Sequence, residues 1–212
     1  MKLLIFGATG GTGAHLLTRA LDDGHAVTVV ARDPGKIAVG DRAWPTVITG
    51  DVLEPLTWRA AVGGHDAVLS CLGSTDRKHP TTVYSQGATN IIDVMGRAGV
   101  RRLMCLSSAG LDIPPGTPLP QRLVTRLVIQ RLYRHGYTDM RAMENIVAAS
   151  DTDWTIIRPP MLTNGPPIGN YRAAANAHLS KPKAISRADL ADYLLTHIGD
   201  RESWPKTVEV SS

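Results

Sequence analysis

The chain has 212 residues, 43% of them hydrophobic and 20% charged. That length fits one substantial core in a single domain spanning residues 1–212, and the composition excludes a disordered, collagen-like or disulfide-stapled chain. The formal net charge is +4, a modest positive potential that would help attract an anionic small molecule.

Apolar runs and helical patterns alternate from the start. Leu3–Phe6 reads as a first strand, 14–21 as a helix, Ala26–Ala31 as a second strand and Thr46–Thr49 as a short third. A helix with proline at its start is expected over 55–62, a fourth strand over 67–72, a helix over 83–98 and a fifth strand over 102–106. Residues 112–120, rich in proline and glycine, read as a loop. Helices over 121–134 and 137–149 follow, then a sixth strand over 154–157. The segment 159–169 is again rich in proline and glycine. A short strand over 183–186, a helix over 187–198 and a last strand over 207–210 complete the chain. Continuous apolar strands separated by helices indicate α/β architecture: a doubly wound parallel sheet, the Rossmann fold, covered on both faces.

No apolar stretch approaches a membrane span, and the opening Met1–Gly7 is too short for a signal peptide. A cytoplasmic protein with no membrane partner is therefore expected. Arg122, Arg126, Arg131 and Arg134 fall in one expected helix and read as a solvated face; without a matching motif, no nucleic-acid partner is expected. Cys71 and Cys105 lie inside apolar runs without metal spacing, so they read as buried thiols and no metal site is expected.

The strongest motif is Gly7-Ala8-Thr9-Gly10-Gly11-Thr12-Gly13, between a strand and a helix. Glycine permits a tight strand-to-helix turn, and the missing side chains let a pyrophosphate approach the backbone at a helix N-terminus. The end of the second strand selects the cofactor. Here Arg32 and Lys36 would accommodate a 2′-phosphate, which points to NADP(H), although Asp33 could pair with Arg32. Ligands of open parallel sheets bind beyond the C-terminal strand ends. There Asp51 and Val52 would border an adenine, with Asp51 alternatively capping the expected helix at Pro55. Leu72 and Gly73 would border a ribose. Ser107 and Ser108 would orient a carboxamide or a substrate, or cap the loop after strand five. Pro159 and Met161, in Arg158-Pro159-Pro160-Met161, end strand six near the same place. Tyr137 and Arg141 have the spacing of a Tyr-x-x-x-Lys pair, but arginine does not substitute for that lysine. Tyr137 is read as covering a pocket roofed by residues 110–120, 137–141 and 158–171.

The Gly7–Gly13 loop, Arg32-Asp33, Gly50-Asp51-Val52 and Leu72-Gly73 resemble the atypical short-chain dehydrogenase/reductases with an NAD(P)H-binding domain. Pro80-Thr81-Thr82-Val83, Gly87–Ile92, Ser107-Ser108-Ala109 and Arg158-Pro159-Pro160 make the chain similar to the flavin reductase / biliverdin-IXβ reductase group. That resemblance implies a generally monomeric enzyme using NADPH to reduce a planar acceptor: flavin-like, quinone or tetrapyrrole. It implies that Gly7, Thr9, Gly10 and Thr12 hold the pyrophosphate and that Ser108 is the active-site serine beside the nicotinamide. Two pocket histidines of the group are replaced by Met161 and, by alignment, Met140, which weighs against a tetrapyrrole. Two other functions fit the same residues: an NADP(H)-binding redox-sensing regulator without turnover, or a dehydrogenase or isomerase of a small carbonyl or sugar.

Overall fold

The structure, a computed structural model, describes residues 1–76, 78–114 and 116–212, and Gln121 by its backbone. Pro115, within the loop expected over 112–120, lies outside the described residues.

In chain order the elements are β1 (Lys2–Phe6), α1 (Gly11–Asp22), β2 (Ala26–Ala31), β3 (Thr46–Thr49), β4 (Ala67–Ser70), α2 (Ser85–Ala98) and β5 (Arg102–Leu106). Then come α3 (Leu119–Val124), α4 (Gln130–Leu132), α5 (Arg134–Ala148), β6 (Asp153–Arg158), β7 (Leu162–Thr163), β8 (Arg172–Ala175), β9 (Ile185–Ser186), α6 (Arg187–Thr196) and β10 (Lys206–Ser211). The main sheet runs β3-β2-β1-β4-β5-β6-β10-β8. Its pairings are parallel except β10 with β8. Strand order reverses between β1 and β4, which opens a crevice at the C-terminal strand ends where such sheets bind ligands. A single doubly wound domain is what the strand pattern predicted.

Side chains of a strand alternate between faces, and here both faces are buried. Leu3 and Ile5 join one core cluster with Leu16, Leu17 and Ala20 of α1 and Leu190 and Leu194 of α6. Leu4 and Phe6 join the other, with Ile91 and Met95 of α2 and Met143 and Val147 of α5. Below the sheet, buried Arg102 donates to the carbonyls of Ile198 (2.7 Å) and Asp153 (2.8 Å) and to Thr155 Oγ1 (2.8 Å). Its guanidinium lies 4.8 Å from the Trp204 ring centroid. Burial lowers the Arg102 pKa to about 10, against the pull of Asp153 and Asp200.

Several elements differ from expectation. Residues 55–62 form two single 3-10 turns, Pro55–Thr57 and Arg59–Ala61, in place of an α-helix. Buried Trp58 separates them: it packs edge-on to Phe6 and donates from Nε1 to the Asp51 carbonyl at 2.8 Å. Thr57 Oγ1 donates back to the Glu54 carbonyl at 2.6 Å, closing the first turn on itself. The helix expected over 121–134 begins at Leu119 and is interrupted by a π-helical stretch, Thr125–Ile129. Pro120 is tolerated in the first turn because no intrahelical partner awaits its missing N–H. The strand β8 has no counterpart in the sequence pattern. Arg172-Ala173-Ala174-Ala175 lacks β-branched residues, and its pairing is supplied by β10.

Cys71 and Cys105 are buried and free. Burial pushes both thiols up to about 12, with Cys105 adding to the effect at Cys71. At pH 8 neither group is a thiolate, so neither is a nucleophile. Titration with an aromatic disulfide reagent should find no reactive thiol in the native protein and both after unfolding in guanidinium. Rapid reaction of either cysteine in the native state would contradict this packing.

Candidate functional site

The crevice begins at the turn between β1 and α1. Gly7 has φ +80°, and a Cβ there would collide with the Cys71 carbonyl. A Cβ on Gly13 would collide with the Gly7 carbonyl. Only glycine allows these approaches, so the first turn of α1 sits directly on the strand ends. Gly10 occupies the helix N-cap with φ −83° and ψ 166°, and no side chain caps α1. An ideal Cβ at Gly10 would lie 3.3 Å from the Gly7 carbonyl and otherwise face open space. Thr9, Gly10 and Gly11 are exposed, whereas Thr12 is buried. The start of α1 thus has no side-chain cap, and Gly10 and Gly11 put no side chain over it.

One cation reaches this loop that sequence reasoning missed. A Cβ built on Gly11 would lie 2.7 Å from both Cδ and Nε of Arg187. Arg187 Nη1 donates to Asn164 Oδ1 at 2.7 Å. Its backbone is set by a cap at the start of α6. Ser186 Oγ accepts from Asp189 N (2.9 Å) and donates to Asp189 Oδ2 (2.7 Å). Asp189 Oδ1 accepts from Ile168 N and Gly169 N, both at 2.8 Å, so the 159–169 segment is tied to the same helix start. The Ser186-x-x-Asp189 spacing is legible as a cap; its position beside the glycine loop is set by the packing of α6 on α1.

At the β2 end, Arg32 and Lys36 are well exposed and each meets an acid. Arg32 Nη1 lies 3.9 Å from Asp51 Oδ2, and Lys36 Nζ lies 3.3 Å from Asp33 Oδ2. Asp33 therefore pairs with Lys36 in place of Arg32 and accepts from Gly35 N at 3.1 Å, capping the turn that carries the lysine. Asp51 Oδ1 accepts from Leu53 N at 2.9 Å, a local cap without the α-helix expected after it. Val52 is buried, and its carbonyl accepts from Asn90 Nδ2 at 2.9 Å. A Cβ on Gly87 would come within 2.9 Å of Leu72 Cδ1 and 3.3 Å of Val52, so these residues form a tight wall, while Gly73 faces open space.

At the β5 end, Ser108 Oγ accepts from Gly110 N at 3.1 Å, capping the 3-10 turn Ala109–Leu111. The hydroxyls of Ser108 and Tyr137 converge on Gly110. A Cβ there would collide with the Tyr137 hydroxyl and lie 3.3 Å from Ser108 Oγ. Arg141 does not serve Tyr137: its Nη2 donates to the Leu111 carbonyl (2.7 Å) and to Asp112 Oδ1 (3.1 Å). Arg158 donates to both oxygens of the buried Glu144 carboxylate, at 2.8 and 2.5 Å, and to Asp112 Oδ2 at 2.6 Å. The Glu144 pair raises the Arg158 guanidinium above its ordinary range. Burial opposes the charge on Asp112, yet Arg141 and Arg158 together hold its carboxyl below the usual range. This network clamps residues 111 and 112 against α5 and β6. Pro159 is buried, with its carbonyl accepting from Ala109 N at 2.9 Å. Met161 is 73% exposed, and Met140 packs against the α2–α5 cluster.

Two surface hollows, one lined by Arg172, Lys181 and Lys183 and one by Asp112, Arg158, His178 and Glu209, include none of the glycine-loop residues. The crevice is open. Within it, Ser107 Oγ is buried and has no hydrogen-bond partner among the described residues. Buried hydroxyls are seldom left unpaired, so an orphan at a strand end marks a place for a polar ligand group. With the uncapped start of α1, it fits a dinucleotide laid across the strand ends.

Known proteins share this fold. An uncharacterized chloroplastic protein of Arabidopsis thaliana is 28% identical over 99% of this chain and 76% of its own length. Two solved structures share the fold at 19% identity over the whole of this chain. One is a short-chain dehydrogenase/reductase from Veillonella parvula in complex with NADP (TM-score 0.81, 94% of that chain). The other is a candidate NADH-flavin reductase from Streptococcus pneumoniae (TM-score 0.80, 99% of that chain). The family model described as NAD(P)H-binding matches residues 7–201, and the chain belongs to that NAD(P)H-binding family.

Proposed function

We propose that the protein is an NADPH-dependent reductase of a flavin-like or other planar conjugated acceptor. The observation that carries this reading is the convergence of the Ser108 and Tyr137 hydroxyls at Gly110, with Arg141 engaged elsewhere. When bound, the dinucleotide supplies hydride; the chain supplies binding and orientation. The α1 amides and Arg187 hold the pyrophosphate. Arg32 and Lys36 hold the 2′-phosphate, Asp51 and Val52 border the adenine, and Leu72 and Gly73 border the ribose. Ser107 and Pro159 line the carboxamide end, and Ser108 faces the acceptor. A tyrosine acid is normally assisted by an adjacent cation, and here that cation is taken up by Leu111 and Asp112. A planar acceptor stacked in an open crevice needs alignment more than a protein acid, because its ring nitrogens or oxygens take a proton from water. The likeness in fold to a candidate flavin reductase supports the same class of acceptor.

Arg32 and Arg187 should separate by cofactor. Losing a charge-assisted phosphate contact costs about 1.5–3 kcal/mol, or roughly one to two decades in affinity. Arg32→Ala should weaken NADPH and leave NADH unchanged. Arg187→Ala should weaken both equally, since both carry the pyrophosphate. Titration of each variant with both cofactors checks this; an equal loss for Arg32→Ala would make that residue structural.

Turnover with NADPH and FMN tests the chemistry. General acid catalysis is commonly worth about 10²–10⁴-fold, so Tyr137→Phe should change kcat far less than that if Tyr137 only lines the pocket. Ser108→Ala should cost on the order of tenfold, one hydrogen bond to the reacting partners. A hundredfold fall for Tyr137→Phe would reassign the proton donor. Tight NADPH binding with no turnover of any flavin, quinone or tetrapyrrole would favour the redox-sensing regulator.

A further inference from the structure

Residues 119–132 form a continuous helical stretch that projects apolar side chains into solvent: α3, the π-helical turn Thr125–Ile129 and α4. Leu119, Leu123, Val124, Leu127, Val128 and Leu132 are each more than half exposed. Six aliphatic side chains on one short segment exceed the scattered exposure ordinary for a soluble surface.

The charge on the same segment is one-sided. Residues 113–138 contain four arginines, no lysine, no aspartate and no glutamate. Arg122, Arg126, Arg131 and Arg134 are all exposed. Those four account for the whole net charge of +4; the other 19 Lys and Arg balance the 19 Asp and Glu of the chain. The arginines are solvated, as expected, but exposed aliphatic side chains lie between them.

We propose that this segment docks the protein on an anionic lipid surface. Fourteen helical residues extend about 21 Å, long enough to lie in the plane of an interface and too short to cross a bilayer. Among the described residues no helix is long and apolar enough to cross a membrane. Exposed aliphatic residues interleaved with arginines are the chemistry of an interfacial helix: the apolar groups enter the acyl boundary while the guanidinium groups meet headgroup phosphates. A second copy of the chain fits less well, because two such faces would oppose four positive charges to four. The segment is anchored to the rest of the molecule through Gln130, whose Nε2 donates to the carbonyls of Gly110 and Leu111 at 3.3 Å each. Docking would therefore hold the Ser108 end of the crevice toward the lipid.

The test is flotation of the full chain with phosphatidylglycerol/phosphatidylcholine vesicles and with pure phosphatidylcholine vesicles, at low and high salt. Binding should require the anionic lipid and fall with salt. At about a fivefold factor per arginine, Arg122→Gln/Arg126→Gln/Arg131→Gln should weaken it on the order of 100-fold. Leu123→Ser/Leu127→Ser should also release the protein. NADPH affinity, unchanged in both variants, reports that they remain folded. No binding to anionic vesicles, or equal binding to both lipids, would overturn the proposal. So would a stable dimer in sedimentation that Leu123→Ser/Leu127→Ser dissolves, since the face would then belong to a second copy.

Discussion

The contact between the Gly7 carbonyl and Gly13 leaves no room for a side chain, and the rest of the site is arranged around it. It pulls the start of α1 down onto the ends of β1 and β4 and leaves the first amides of the helix facing the crevice. Gly7 adds the positive φ that turns the chain out of the strand in one residue. A helix N-terminus carries partial positive charge and unpaired N–H groups. An enclosing side chain would fill the space they face, and a capping side chain would satisfy them internally. Gly10 supplies neither, so the helix start is left open at the switch point of the sheet, as an anion site there would require.

The β5–β6 end of the crevice depends on paired, partly buried charge in place of bare backbone. Arg158, Glu144, Asp112 and Arg141 form one network joining β6, α5 and the turn after β5. Buried charges are costly unless they are paired and hydrogen-bonded, and the bidentate geometry meets that condition. A second buried acid, Asp139 of α5, accepts from Tyr84 N at 2.9 Å and from Ser85 Oγ, capping α2 from another helix. Both devices fix α5, and α5 carries Tyr137. The hydroxyls at Gly110 are thus held from two sides by polar contacts. The arginine of the Tyr-x-x-x-Arg spacing is thus engaged as a clamp on Leu111 and Asp112 and not turned to Tyr137.

Much of the fold was legible because its signals are local. The strands β2, β3 and β5 are apolar runs bounded by turn residues, and their limits match the pattern. The glycine loop was legible for the same reason, since strand, turn and helix are contiguous. What was not legible depends on contacts distant in sequence. Residues 55–62 carry a proline start and apolar spacing, but burial of Trp58 against Phe6 breaks the helix into turns. The strand β8 exists because β10 presents an edge, not because alanines favour strands. Arg187 lies more than 170 residues from the loop it touches, and only the packing of α6 on α1 brings them together. The four arginines were visible, while the exposure of the aliphatic residues among them was not.

Everything proposed for the crevice rests on the bare N-cap at Gly10 serving as the anion site. Its φ of −83° and ψ of 166° suit any L residue, and aspartate is a favoured N-cap. A Cβ there lies 3.3 Å from the Gly7 carbonyl, a tight approach that a shift of a few tenths of an ångström relieves, so Gly10→Asp should fold with at most a small fall in melting temperature, while placing a carboxylate where a pyrophosphate would sit. NADPH titration of this variant beside the wild type is the most direct measurement. The account predicts a folded protein that no longer binds NADPH. A folded Gly10→Asp variant with wild-type affinity would contradict it.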